Sequence, residues 1–334
     1  METLQHILGY YPADCHSKQI DSLGSAGGFS GAKFWKIHSA RGTLCLRRWP
    51  REHPTQERIE FIHRLLEHVT KSGCSVVPVP ICLRSSSSET YLKWDGYFWE
   101  LTPWMPGQAN YQQDPSIKKL QAAARSLANF HNLSADFGRG LPAMGPAPSV
   151  RDRLQQINDW IQRDLNRLEV EFGKTNAIDA KESRHRCRVI VDYAKRHMAL
   201  VKSELSSAQM WDVPIQPCIR DIWEQHVLYC GDEVTGIIDF GAARLDTIAT
   251  DLVRLLGSLA LDNQGMWTAG VQAYESERPL TDLERSLIAP LDRSAVMLSG
   301  LNWLRWIFLE NRTFTNWPSV DSRLKKIVQR IESD

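Results

Sequence analysis

Hydrophobic period changes from mainly strand-like to mainly helical at Met105-Pro106-Gly107. Ahead of that point apolar residues alternate in the manner of strands. AKFWKIHSA, a turn at Arg41-Gly42, TLCLRRW, VVPVPICL, TYLKWDG and YFWELTPWM all read as β, and Gly96 closes a hairpin. The exception is a stretch with Ile59, Ile62, Leu66 and Val69 at helical spacing. Beyond that point LQAAARSLANFHNL is helical, GLPAMGPAPS is a connector, and residues 150 to 208 carry long amphipathic helices. Short strands return between Gln216 and Gly241, and the rest is helical, with Thr281 and Glu284 spaced as a capping box. Strands gathered at one end and helices at the other predict an α+β molecule of two lobes. The smaller, β-rich lobe takes residues 1–105, the larger helical lobe 106–334, and the hinge falls near residues 103 to 107.

Composition narrows the partners. A formal net charge of +1 over 334 residues gives no bulk field to draw nucleic acid or an anionic membrane. The seven cysteines are scattered without metal-ligand spacing, the pattern of reduced thiols in a reducing compartment. The amino terminus lacks a basic region followed by a long apolar run, and no window reaches the length of a membrane span. The expectation is a soluble, cytoplasmic protein whose partner is a small molecule; oligomeric state is not legible.

Three separated segments carry chemistry. Gly24-Ser-Ala-Gly27-Gly28-Phe-Ser30-Gly31 lets backbone N–H groups approach phosphate oxygens closely. It leads into a second β run, whereas a dinucleotide-binding turn would enter a helix. By itself such a loop is more often a plain turn. Arg47, at the end of the next strand, could reach the phosphates of a nucleotide under that loop, although an isolated arginine there would be read as an edge-strand surface group. The third segment runs Ile219-Arg220-Asp221-Ile-Trp223-Glu-Gln-His226, then an apolar hairpin turning at Gly231-Asp232, then Asp239-Phe240-Gly241. The hairpin returns Asp239 to the loop bearing Asp221, converging two carboxylates as phosphoryl transfer requires. One accepts a proton from the attacking hydroxyl; the other holds Mg²⁺, a hard cation that takes oxygen ligands.

This third segment resembles the H-G-D-x-x-x-x-N motif, with its following strand and I-D-F/W, of the aminoglycoside phosphotransferase and choline kinase-like family. The resemblance implies a protein-kinase-like fold and ATP-dependent phosphorylation of a hydroxyl on a small metabolite, an amino alcohol, hydroxy amino acid or sugar-like compound. It makes Asp221 the catalytic carboxylate and places His226 and Asp239 at the Mg²⁺ positions. It gives the ATP phosphates to Gly27, Gly28, Ser30 and Arg47, and the adenine to the backbone of Pro103, Trp104 and Met105. Leu127-Ala-Asn-Phe-His131 resembles the helix before the substrate-cap insertion, and Asp251 matches the carboxylate that buttresses the catalytic loop.

Three positions depart from the motif. Ile219 stands for a histidine, Arg47 for a lysine, and His226 for an asparagine, which matters most because imidazole suits Mg²⁺ poorly. His226 therefore either marks a weak metal position or contacts phosphate. A catalytically impaired kinase fold serving as a nucleotide-binding scaffold is the competing reading. Kinases pair the strand cation with a helical glutamate, for which Glu57 and Glu60 are candidates, though either alone reads as a solvated helix face. Trp303 and Trp306 share a helical face and read as core, the lesser alternative being that they line a substrate pocket where an aromatic face meets a cation. Trp223 is the better candidate for touching substrate, and Asp246 either meets a substrate amine or caps a helix. An antibiotic polycation would want a strongly acidic pocket; here acidic and basic residues are interspersed, so aminoglycosides are not indicated.

Overall fold

The computed structural model describes residues 2–25, 31–73, 77–138, 143–174, 181–314 and 316–332. A short helix α1 (Glu2–Leu8) precedes β1 (Ile20–Gly24), β2 (Lys33–Ser39) and β3 (Gly42–Arg48); α2 (Gln56–Gly73) intervenes before β4 (Leu92–Trp94) and β5 (Tyr97–Pro103). These strands form one antiparallel sheet in the order β1-β2-β3-β5-β4. Alternation predicts this sheet, and its inward residues Ile37, Leu44, Leu46, Trp99 and Leu101 bury against Ile7, Leu8 and Tyr11 of the amino-terminal segment. Asp95 and Gly96, at φ 50° and 74°, make the tight turn predicted at Gly96.

One expected strand is absent. Residues 77 to 83 run without regular pairing, because Pro78 and Pro80 have no N–H to give a ladder. The segment instead straps the lobes together. Its Leu83 N–H donates to Leu101 of the sheet at 2.7 Å, and its Pro78 carbonyl accepts from Ile237 at 2.8 Å.

The helical lobe holds α3 (Ile117–Ser134), α4 (Pro148–Asp159), α5 (Leu165–Lys174), α6 (Lys181–Ala208), α7 (Ala249–Leu259), α8 (Gln264–Glu275), α9 (Asp282–Leu304) and α10 (Trp317–Glu332). The capping box at Thr281 and Glu284 is formed and opens α9. Threaded among the helices are β6 (Ala143–Pro146), β7 (Asp212–Cys218), β8 (Val227–Cys230), β9 (Glu233–Ile237) and β10 (Arg244–Asp246). The expected connector thus contributes β6, which pairs with β7. A first apolar core unites α4 to α6 with α9 and α10; a second joins α2, α3, α7 and the β8–β9 hairpin. Because α2 buries its apolar stripe in that second core, the helix nearest the sheet is anchored in the larger lobe. Cysteines at 15, 45, 82, 187, 218 and 230 are free thiols, and no helix among the described residues is long and apolar enough to cross a membrane.

Candidate active site

The β8–β9 hairpin does what its sequence predicts. Val227 pairs with Ile237 and Leu228 with Gly236, so the chain leaving β9 comes back to the point where it entered β8. Asp221, His226 and Asp239 consequently line one cavity of about 1390 Å³, together with Arg47, Pro103, Trp104 and Met105. Arg220 and Asp239 sit at φ 69° and 63°, left-handed conformations disfavoured for residues with a side chain, and such strain gathers where surrounding contacts dictate geometry.

Those contacts are identifiable. Asp251 is fully buried, and its two oxygens accept from the Ile219 and Arg220 N–H groups at 2.6 Å each. His131 from α3 holds the same carboxylate at 3.1 Å and meets the Tyr274 hydroxyl at 2.7 Å. The buttress is thus formed by Asp251, and Ile219, fully buried, serves only as packing. Arg220 pairs with Asp152 at 3.2 Å and with Asp246. Asp246 is fully buried, accepting from Thr247 N–H at 2.8 Å and Ser149 Oγ at 2.9 Å, so it braces the start of α4, and the expected cap on α7 is not formed, since Ile248 holds that position without a side-chain hydrogen bond.

His226 is engaged at both ring nitrogens. Trp223 Nε1–H donates to Nε2 at 3.0 Å, which leaves Nδ1–H to donate to the Asp221 carbonyl at 2.7 Å. The ring therefore props the catalytic loop, and its Nε2 lies 3.7 Å from Asp239 Oδ2 with its lone pair already used. Burial alone would raise the pKa of Asp239, but Arg47 and the Gly241 N–H hold it below the ordinary carboxylate value. An ionised carboxylate facing the cavity offers the oxygen donors a hard divalent cation needs, and imidazole adds little to that set.

Arg47 lies buried with its guanidinium 3.3 Å from the Trp49 ring centroid. It reaches Asp239 Oδ1 at 3.2 Å and Glu100 Oε1 at 3.8 Å. Here the structure corrects the sequence reading: neither Glu57 nor Glu60 pairs with Arg47. Glu60 is occupied by Gln56 and Tyr91, at 3.0 and 2.9 Å, and Glu57 is held by its own helix start. The partner is Glu100, directly opposite Arg47 in the β3–β5 register, and itself held by Trp49 Nε1 at 2.9 Å and His63 at 3.0 Å. Arg47 Nε is buried and has no hydrogen-bond partner among the described residues. Gly27, Gly28 and Ser30 fall outside the described residues. At the hinge, Trp104 N–H is spent on the Thr43 carbonyl at 3.0 Å, whereas Met105 N–H has no partner among the described residues.

One feature escapes the sequence reading, and a second follows its lesser alternative. Arg254 of α7 clamps the proposed base, its Nη2 and Nε donating to Asp221 Oδ1 at 3.0 and 3.3 Å. Trp303 and Trp306, expected in the core, also face the cavity; a π turn (Arg305–Leu309) ending α9 carries Trp306 there.

The model of the phosphotransferase enzyme family matches residues 24–286. Homoserine kinase of Methylobacterium nodulans is 26% identical over 313 residues, 91% of this chain and 87% of the relative. Homoserine kinase of Rhizobium johnstonii is 24% identical over 279 residues, covering 82% and 77%. Among solved structures, aminoglycoside phosphotransferase from Alicyclobacillus acidocaldarius superposes with a TM-score of 0.67 at 17% identity, covering 98% of this chain and 92% of that one. A microcompartment-associated aminopropanol kinase gives 0.60 at 14% identity, covering 99% and 95%. Fold and site define a kinase-fold enzyme that binds nucleotide and acts on an alcohol hydroxyl of a small molecule. The chain belongs to the phosphotransferase enzyme family.

Proposed function

We propose that this enzyme transfers the γ-phosphoryl group of ATP to a hydroxyl of a small amino alcohol or hydroxy amino acid. The observation that carries the reading is the convergence of Asp221, Asp239 and Arg47 on one cavity. Asp221 orients the acceptor hydroxyl and takes its proton as the new O–P bond forms and the bond to the β–γ bridging oxygen breaks, releasing ADP. Arg254 fixes Asp221 through Oδ1, and Oδ2 receives no hydrogen bond among the described residues, so it is the oxygen open to the acceptor. Arg47, with the 24–31 loop and its Gly27, Gly28 and Ser30, holds the phosphates; the backbone of Pro103, Trp104 and Met105 takes the adenine. Asp239 would hold Mg²⁺, which supplies charge neutralisation at the β- and γ-phosphates. His226 serves as the strut of the loop, and would join the metal only if Trp223 released its Nε2.

Homoserine kinases among the relatives and an aminopropanol kinase among the neighbours support the acceptor class. Nothing in them supports a scaffold without catalysis. ADP release should be measured with L-homoserine, 3-aminopropan-1-ol, sugars and aminoglycosides, for the wild type and Asp221→Asn. The variant should lose about 10²- to 10⁴-fold in kcat, the usual worth of a positioned base. A wild type without acceptor-dependent ADP release, or a variant equal to it, ends the reading.

A further inference from the structure

The acceptor end of the cavity has more positive charge than it can pair. Its described carboxylates are Asp221, Glu224 and Asp292, and each already has a cation: Arg254 at 3.0 Å, Lys326 at 2.9 Å and Arg330 at 2.8 Å. Arg312 pairs outside the cavity with Glu310 at 2.7 Å. Two arginines of the lining remain without a carboxylate among the described residues. Arg323 of α10 stacks 3.7 Å from the Trp223 ring centroid and donates to the Gln225 amide oxygen at 3.2 Å. Arg153 of α4 donates to Ser294 Oγ at 2.7 Å and to the Leu291 carbonyl. Burial lowers the pKa of Arg323, against the pull of Glu224 and Asp221 and with the push of Arg254; burial, with Arg220 and Arg254 and against Asp292 and Asp152, lowers that of Arg153 to about 10. Both guanidiniums share the cavity with Arg254, the residue that grips the catalytic carboxylate.

A partly buried guanidinium with no carboxylate in ion-pair contact is stabilised by an incoming anion, and a planar fork suits a carboxylate. Resting on the phosphotransfer reading above, we propose that Arg323 and Arg153, which line the cavity with Arg254, form the seat for a carboxylate on the acceptor. The enzyme's substrate is then a hydroxy acid or hydroxy amino acid, and the matching amino alcohol is a poor one. Trp223 fixes Arg323 by its face, which explains an indole inside the catalytic loop: it links the seat to the His226 strut.

Three acceptors isolate the carboxylate: L-homoserine, 4-hydroxybutyrate, which lacks the amine, and 3-aminopropan-1-ol, which lacks the carboxylate. With the wild-type enzyme and saturating ATP, both carboxylated compounds should exceed the amino alcohol in kcat/KM by about 10-fold or more, the worth of a charge-assisted hydrogen bond, chiefly through KM. Arg323→Met should collapse that ratio towards one, and Arg323→Lys should restore part of it. The acceptor series on the wild type needs no variant, so a misfolded Arg323→Met leaves the proposal open to refutation. Equal use of 3-aminopropan-1-ol overturns the seat while leaving phosphotransfer standing. Equal losses on all three acceptors, or a raised KM for ATP, assign the arginine to the transferred phosphoryl group and also overturn it. No ADP release with any acceptor removes the underlying kinase reading instead.

Discussion

The two walls of the cavity handle charge in opposite ways. On the sheet side Arg47 is compensated twice, by Glu100 behind it and by Asp239 across the cleft, and Glu100 is in turn held by His63 and Trp49. On the side of α7 and α10, Arg254, Lys326 and Arg330 are each paired, but Arg323 meets only the Gln225 amide oxygen and the Trp223 ring. The sheet wall is a closed network that must open for a nucleotide, because the Arg47–Asp239 pair occupies groups that phosphate and cation would each take. The helical wall is open and waits for charge to arrive with the ligand.

Arg47→Met tests this contrast most severely. It should raise KM for ATP by about 10- to 100-fold, from the loss of charge-assisted hydrogen bonds to phosphate, and leave KM for the acceptor within about twofold. Arg47→Lys should fall between, since it keeps the charge and loses the fork. Arg323→Met should show the reverse split, moving acceptor KM and sparing ATP. Initial-rate kinetics with each substrate varied would decide; a variant that shifts both constants alike erases the distinction between the walls.

What joins the walls is the hinge. Gly107 lies at φ +92°, and a Cβ there would stand 2.8 Å from the Tyr229 carbonyl and collide with Thr235 Oγ1. Thr235 Oγ1 in turn donates to the Pro106 carbonyl at 2.8 Å, and Gln108 exchanges hydrogen bonds with Tyr229. Gly107→Ala should cost about 1–3 kcal/mol in stability, read as a lower melting temperature, and should raise both KM values by displacing one wall from the other. An unchanged melting temperature would show the hinge to be slack.

Legibility in the sequence followed locality. Strands β2, β3 and β5 and the β8–β9 hairpin were readable because alternation and turn glycines act over a few residues. Asp221, His226 and Asp239 were readable for the same reason, lying within one loop and its hairpin. Glu100 was not, because its place opposite Arg47 depends on a register set across the whole of α2 and the β4–β5 hairpin. Glu57 and Glu60 invited the wrong choice, since the apolar stripe of α2 turns them outward. The arginine cluster was hidden by distance, its members coming from α4, α7 and α10. Arg254 alone carried a signal, standing three residues after Asp251 on one helix and so beside the buttress it complements.

Glu100 gives the sharpest test of the closed wall. Burial would raise its pKa, but His63, Arg47 and the Trp49 N–H outweigh that and hold it below the ordinary value. A carboxylate whose pKa is depressed on folding adds stability that is fully present above its unfolded value, about 4.3, and is lost as pH falls through the folded one. Glu100→Gln keeps the shape and removes the titrating charge. The wild type should therefore exceed the variant by about 1–3 kcal/mol near pH 7, as expected for hydrogen bonds to a charged group, and the gap should narrow below about pH 4. Urea melts of both proteins between pH 3 and 7 supply the comparison. A constant gap across that range would mean that Glu100 contributes through packing alone, and the sheet wall would then owe its order to the aromatic rings around Arg47 instead of to paired charge.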